Sequence, residues 1–240
     1  MIERLSTGVE GLDAKMEGGL VKGSVNLITG KTGTGKTAFC ASFLYSGALR
    51  NEPGIYVTTE EREEDIKNDI LVMFGWDFQL LEQRKIIKFL PIRPQIPGTV
   101  VTGEDLGRYI KLYVFQITDM IVKAIREINA KRVVLDSVSI IEMFIKDEYL
   151  CRVAIIQMMD KLKELGVTSI VTGIVPETSE ALSGGGIVEF IADAVIKLDF
   201  VPVAEEFKRT LNIRKMRRTN HSIYIHPFEI SKTGLKLIEV

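Results

Sequence analysis

The sequence predicts an α/β fold: a mostly parallel sheet flanked by helices on both faces, with C-terminal antiparallel strands extending the sheet. Three observations carry this. Over roughly the first 175 residues, short apolar runs alternate with longer stretches of helical periodicity. Over the last 45 or so, strand signals crowd together and leave no room for helices. At roughly 150 residues per domain, 240 residues with 46% apolar and 26% charged content suit one α/β domain with a short appendage. The expected division is a single domain over residues 1–240, with a lead-in over 1–23 and a β extension over 194–240.

The elements follow in order. Ser24–Thr29 reads as a buried strand and Thr37–Leu49 as a helix. Gly54–Thr59 is a second strand, and Arg62–Phe74 a second helix with Ile66, Ile70, Met73 and Phe74 on one face. Ile86–Leu90 reads as a further strand. Three prolines between Pro91 and Pro97 make a loop, since proline breaks a regular helix. The clearest helix runs from Leu106 to Ile128, with Tyr109, Ile110, Tyr113, Ile117, Met120, Ile121, Ala124 and Ile125 at three-to-four spacing as core. Arg132–Leu135 is a strand ending in Asp136, Cys151–Leu165 a helix and Ser169–Thr172 a strand. Ala194–Phe200, Thr210–Lys215 and Ser222–Ile230 supply the closing meander.

Composition excludes several classes. With 31 basic against 32 acidic residues, the net charge of −1 argues against a generally basic nucleic-acid coat. Cys40 and Cys151, far apart in apolar surroundings, read as reduced core cysteines of a cytoplasmic protein. Two histidines, His221 and His226, and no CxxC give a zinc site little material. Met1–Arg4 lacks the apolar segment of a secretory leader, and no apolar run is long enough to suggest a membrane span.

The strongest motif is Gly30-Lys31-Thr32-Gly33-Thr34-Gly35-Lys36-Thr37, which matches G-x-x-x-x-G-K-[ST] between a predicted strand and a predicted helix, with Ala38 next in the helix. Glycines let the backbone wrap so that N–H groups converge on phosphates. The helix N-terminus adds its positive dipole end. Lys36 is a point charge for the β- and γ-phosphates, and the Thr37 hydroxyl suits Mg²⁺. Asp136, a carboxylate at the end of an apolar strand, is the candidate second metal residue, acting through the ion's water shell. Glu60 and Glu61 emerge at the same edge. Two readings of them stand: a base for the water that attacks the γ-phosphate, or negative charge favourable in the next helix's first turn.

These motifs together resemble the RecA-superfamily P-loop ATPases, and within them the KaiC/RadA-like group. The resemblance rests on Thr7-Gly8-Val9-Glu10-Gly11-Leu12-Asp13, Gly18-Gly19-Leu20, the phosphate loop, Val57-Thr58-Thr59-Glu60-Glu61, Phe74-Gly75-Trp76-Asp77 and Asp136-Ser137. It continues through Arg209-Thr210-Leu211, Lys215-Met216-Arg217, Thr219-Asn220-His221 and Pro227-Phe228. It implies a RecA-like core that assembles into a homohexameric ring with ATP and Mg²⁺ between neighbours. Glu60 would be the general base with Glu61 assisting, and Lys215 and Arg217 would reach the adjacent subunit's γ-phosphate. In a strand, positions 215 and 217 share a face, as a phosphate clamp requires. On the residues alone, a charged edge strand and a DNA patch remain open beside the clamp. Three departures stand out. KaiC carries two such domains in tandem, its adjacent Ser-Thr autophosphorylation site has no counterpart here, and Arg218 stands where this group usually has glycine.

Three functions are therefore in view: an ATP-hydrolysing ring acting by conformational change on a protein partner, a RadA-paralogue-like accessory factor binding DNA, and a slow nucleotide switch. By position, axial loops would be Ser137–Leu150 and Gly173–Val188. The first sets Lys146 against Glu142, Asp147 and Glu148, and the second holds Glu177 and Glu180 without a cation, so each carries −2. Phosphate neutralisation supplies most non-specific DNA affinity, so DNA at the ring axis is disfavoured, although Phe144 and Tyr149 could stack on bases. Ser183-Gly184-Gly185-Gly186 reads as a mobile loop.

Overall fold

In the computed structural model, residues 2–93, 104–145, 147–175 and 187–238 are described. The chain opens with β1 (Arg4–Leu5), paired antiparallel with β2 (Leu20–Val21). Between them a 3₁₀ turn spans Asp13–Met16, and Asp13 Oδ1 accepts from both the Thr7 backbone N–H (2.9 Å) and the Thr7 hydroxyl (2.6 Å). Gly8, at φ +76°, passes so close to the following helix that a Cβ would sit 2.1 Å from the Ser42 carbonyl oxygen. These contacts account for Thr7, Gly8 and Asp13 of the lead-in.

β3 (Val25–Gly30) leads into α1 (Lys36–Ala48), then β4 (Gly54–Thr58), α2 (Glu63–Phe74), α3 (Phe78–Gln83) and β5 (Ile87–Pro91). α4 (Glu104–Ile128), β6 (Arg132–Asp136), α5 (Ser139–Phe144), α6 (Glu148–Glu164), β7 (Thr168–Ile174) and α7 (Val188–Ile191) follow. The chain closes with β8 (Ala194–Val203), β9 (Glu206–Met216), β10 (His226–Ser231) and β11 (Gly234–Leu237). The main sheet has the order β11-β10-β9-β8-β3-β7-β6-β4-β5. From β8 to β5 all neighbours are parallel, and from β8 to β11 all are antiparallel.

Alternation along the strands gives the sheet two apolar faces. Ile28, Tyr56, Val134, Ile170 and Ile196 pack under α1 and α2, while Leu27, Ile55, Val133, Val171 and Val195 pack under α4 and α6. Ten of the thirteen residues of α1 are buried, as befits a helix that is apolar nearly all round. Arg132, fully buried, joins three segments. It pairs with Glu52, donates to the carbonyls of Ser6 (2.7 Å) and Phe43 (2.8 Å), and lies over the Phe43 ring at 4.5 Å. Partners on every side are what make a buried guanidinium tolerable.

The predicted fold class is the observed one, with local corrections. Ala194–Phe200 belongs to the parallel part of the sheet, because β8 pairs with β3, and the antiparallel extension begins at β9. Ser222–Ile225 is not strand; β10 starts at His226, and β11 was not anticipated. Met73 and Met120, expected in the core, are 44% and 42% exposed. The stretch 137–150, expected as a loop, is largely helical. Lys146, Glu177, Glu180, Ser183–Gly186 and most of the Pro91–Pro97 loop lie outside the described residues, as do the side chains of Leu106, Tyr109, Ile110 and Phe144.

Arg218 has φ +60°, the left-handed region that favours glycine, which accounts for glycine being usual there in the group. An L-residue pays about 1–2 kcal/mol for this conformation, against about 0.5–1 kcal/mol of extra chain entropy for glycine. Arg218→Gly should therefore raise stability by up to about 1 kcal/mol, read as a melting temperature higher by about 2–4 °C in calorimetry.

Candidate functional site

The parallel register brings strand ends together. Gly30 of β3 pairs with Ile174 of β7, and Thr58 of β4 with Asp136 of β6, so the C-terminal ends of four strands share one edge. That edge is where open parallel sheets bind ligands. A cleft of about 400 Å³ opens there, lined among others by Gly33, Lys36, Thr37, Glu60, Asp136 and Arg209. A larger groove of about 1010 Å³ runs between the lead-in and the β10–β11 hairpin, but its lining includes no part of the Gly30–Thr37 loop, so size does not select the site.

The Gly30–Thr37 loop is shaped by close approach. A Cβ on Gly30 would lie 2.4 Å from the Leu198 carbonyl oxygen, and one on Gly35 would lie 2.9 Å from Ile230 Cδ1. Lys36 reaches back over the loop and donates to the carbonyls of Gly30 (2.7 Å) and Lys31 (2.9 Å); burial holds its ammonium below the ordinary lysine range, against the pull of Asp136. Thr34 is buried and donates to the Lys31 carbonyl at 2.8 Å, so Thr34 fixes the turn. Lys31, Thr32 and Gly33 form the loop's outer curve, and Ala38 continues the helix. The N-terminus of α1 has no side-chain cap and no acidic residue in its first turn. An uncapped helix end beside a glycine loop and a lysine fits a phosphate group.

Asp136 sits beside this loop. Its carboxylate accepts from Thr37 Oγ1 (3.2 Å), Tyr56 Oη (2.6 Å) and Thr172 Oγ1 (2.5 Å). A hydroxyl and a carboxylate in mutual reach form a hard oxygen donor set, the kind magnesium takes. Glu60 and Glu61 follow β4 at the cleft. Glu60 Oε1 accepts from the Ser137 hydroxyl at 2.6 Å, while its main-chain carbonyl accepts from Arg93. Burial, and then the charges of Asp136, Asp69 and Glu60, push the Glu61 carboxyl up.

Lys215 and Arg217 are not brought to this cleft. Lys215 pairs with Val195, and the Arg217 N–H donates to the Asp193 carbonyl, at the start of β8. Asp193 in turn accepts from the Val25 N–H, at the start of β3. The length of β3, six residues, separates these cations from Gly30, about 16 Å at the usual rise. They do share a side, since both donate to the Phe190 carbonyl at the end of α7. Burial and the Arg217 charge hold Lys215 below its ordinary value. Neither can serve the phosphate loop of its own chain.

Sequence reasoning gave no role to four residues in or behind the cleft, Arg209 and Ser137 in its lining and Tyr56 and Thr172 buried behind Asp136. Arg209 stands over the Phe200 ring at 5.2 Å beside the loop, with its buried Nε lacking a hydrogen-bond partner among the described residues. Ser137, Tyr56 and Thr172 hold the two carboxylates. Arg209 was masked by the many charges of its strand, and the hydroxyls by lying inside apolar runs. Among the described residues no cluster of His, Cys, Asp or Glu could hold a metal by itself, no helix is long and apolar enough to cross a membrane, and both cysteines are free and buried.

A family model described as ATPase: KaiC matches residues 5–240. A UPF0273 protein of Thermotoga maritima is 36% identical over 238 residues, covering 98% of this chain and 96% of its own length. The circadian clock protein KaiC3 of Synechocystis is also 36% identical, covering 99% of this chain but 46% of the clock protein. Among solved structures, a KaiC-like protein of Pyrococcus horikoshii aligns with a TM-score of 0.81 and 36% identity over 100% of both chains.

A raised folded-state pKa means that ionised Glu61 is disfavoured in the folded chain. Glu61→Gln should stabilise the protein at neutral pH. That gain should shrink as pH falls through the raised folded value and vanish below the unfolded value of about 4.3. Urea unfolding of both proteins at neutral and acidic pH reads the difference.

Proposed function

The chain belongs to the KaiC family of ATPases, a RecA-like nucleotide-binding protein, and from that premise we propose that it hydrolyses ATP in a ring with the nucleotide held between neighbouring copies. The observation that carries the proposal is the convergence of Lys36, Thr37, Asp136 and Glu60 on one cleft at the strand ends.

In this reading the Gly30–Thr37 loop wraps the phosphates and Lys36 leaves its two carbonyl partners for them. Thr37 and Asp136 would hold Mg²⁺, the latter through water; when bound, the ion neutralises charge on the β- and γ-phosphates. Glu60, oriented by Ser137, takes the proton of the attacking water on its carboxylate, with Glu61 beside it. Arg209 adds a cation from the same chain.

The far placement of Lys215 and Arg217 supports the ring. Two cations useless to their own loop become useful when a neighbour's cleft docks against them, the logic of a finger supplied in trans. The segment just after them presents Ile223, Tyr224 and Ile225 at 82%, 72% and 61% exposure, apolar surface that a head-to-tail neighbour would bury. The output would be a conformational change delivered to a protein partner. DNA at the axis is disfavoured in this reading, which assigns the exposed Asp147 and Glu148 to an axial segment.

Glu60→Gln should bind ATP as the wild type does and release phosphate slower by about 10²-fold or more. Equal, slow release from both proteins would favour the nucleotide-switch reading. Lys36→Ala and Arg217→Ala should each be inactive alone. Mixed in equal amounts before assembly, they should recover about one quarter of wild-type phosphate release, the share of random interfaces with both groups intact. No recovery despite a mixed oligomer by light scattering would remove the trans role.

A further inference from the structure

The buried strand Gly54–Thr58 carries one polar ring atom, the hydroxyl of Tyr56. Tyr56 is 0% exposed, and its ring stacks on Phe89 at 5.1 Å. A phenylalanine would pack there equally well, and a buried hydroxyl without a partner is costly. The Tyr56 hydroxyl donates to Asp136 Oδ2 at 2.6 Å. From the opposite side, the Thr172 hydroxyl donates to Oδ1 at 2.5 Å. β4 and β7 are the two neighbours of β6, so the carboxylate is gripped between donors on both flanking strands. Both bonds have the short O–H···O⁻ length of charge-assisted bonds. The third contact, from Thr37 to Oδ2, is longer at 3.2 Å, so it is the weakest of the three and the one facing the cleft.

We propose that Tyr56 and Thr172 are positioning residues that fix the carboxylate plane of Asp136 toward Thr37 and thereby set the affinity of the site for the divalent cation that accompanies the nucleotide. The inference rests on the reading of Thr37 and Asp136 as the magnesium pair. Its physical basis is that an ion held through an oriented carboxylate loses affinity when the carboxylate is free to rotate, because the ordering must then be done by the ion. Asp136 meets the nucleotide only through the ion in this reading, so the effect falls on the metal and leaves metal-free nucleotide binding intact.

The test is a titration of Mg²⁺ against a fluorescent ADP analogue, with affinity also measured in EDTA and folding followed by thermal melting. The wild type should tighten on the analogue as Mg²⁺ is added. Tyr56→Phe should keep the wild-type affinity in EDTA but need about 10-fold more Mg²⁺ for half its effect. Thr172→Val should shift the same way, and Thr172→Ser, which keeps the hydroxyl, should not. Wild-type Mg²⁺ midpoints in both folded hydroxyl-deleted proteins would overturn the inference, as would an equal loss of affinity with and without Mg²⁺. A wild-type midpoint in Asp136→Asn would overturn instead the reading of Asp136 on which the inference stands.

Discussion

The arrangement depends on one constraint, the parallel register of β3, β7, β6 and β4. Because these strands run in one direction and end within a residue or two of each other, the loop after β3 and the carboxylates after β6 and β4 share an edge without any long-range search. The chain crosses from β3 through α1 to β4, three places away in the sheet, so the loop at Gly30 opens into a crevice rather than against a neighbouring crossover. A one-residue slip would send Asp136 to the wrong face and put Leu135 at the cleft. The apolar alternation that fills both cores is therefore also what aims the polar strand ends.

The charges show the same economy. Three of the cleft's charged side chains are already occupied: Lys36 by carbonyls, Asp136 by hydroxyls, Glu60 by Ser137. Each is held by a neutral group, which fixes direction without cancelling charge. Asp193 shows the contrasting use. Against the effect of its burial, the Val25 N–H, Lys163 and Arg217 hold its carboxyl low, and it serves as an anchor for the start of β3.

The alternating elements of the first 175 residues were legible because each carries a full period of its own pattern, as did the phosphate loop and the carboxylates that end β4 and β6. Short elements were not: α3 and α7 are six and four residues, too few for periodicity to show. Met73 and Met120 fit the helical stripe by spacing, yet stand at its margins, since a stripe in sequence has no edges. The pairing of β8 with β3 is a property of the sheet, invisible along the chain. Tyr56 and Thr172 looked like ordinary strand residues, because what sets them apart is a hydrogen bond across to β6.

α1 leaves its surroundings no slack. Its Ser42 carbonyl lies against Gly8 of the lead-in, its Tyr45 ring stacks on Trp76 at 4.3 Å, and Trp76 in turn lies against Gly234 of the last hairpin. The helix that begins at the phosphate loop is thus wedged between the two ends of the described chain. In the proposed ATPase cycle, a shift at its N-terminus would therefore have little room to relax locally. Such a shift would pass to the lead-in and the closing hairpin, where Gly8 lies against Ser42 and Gly234 against Trp76.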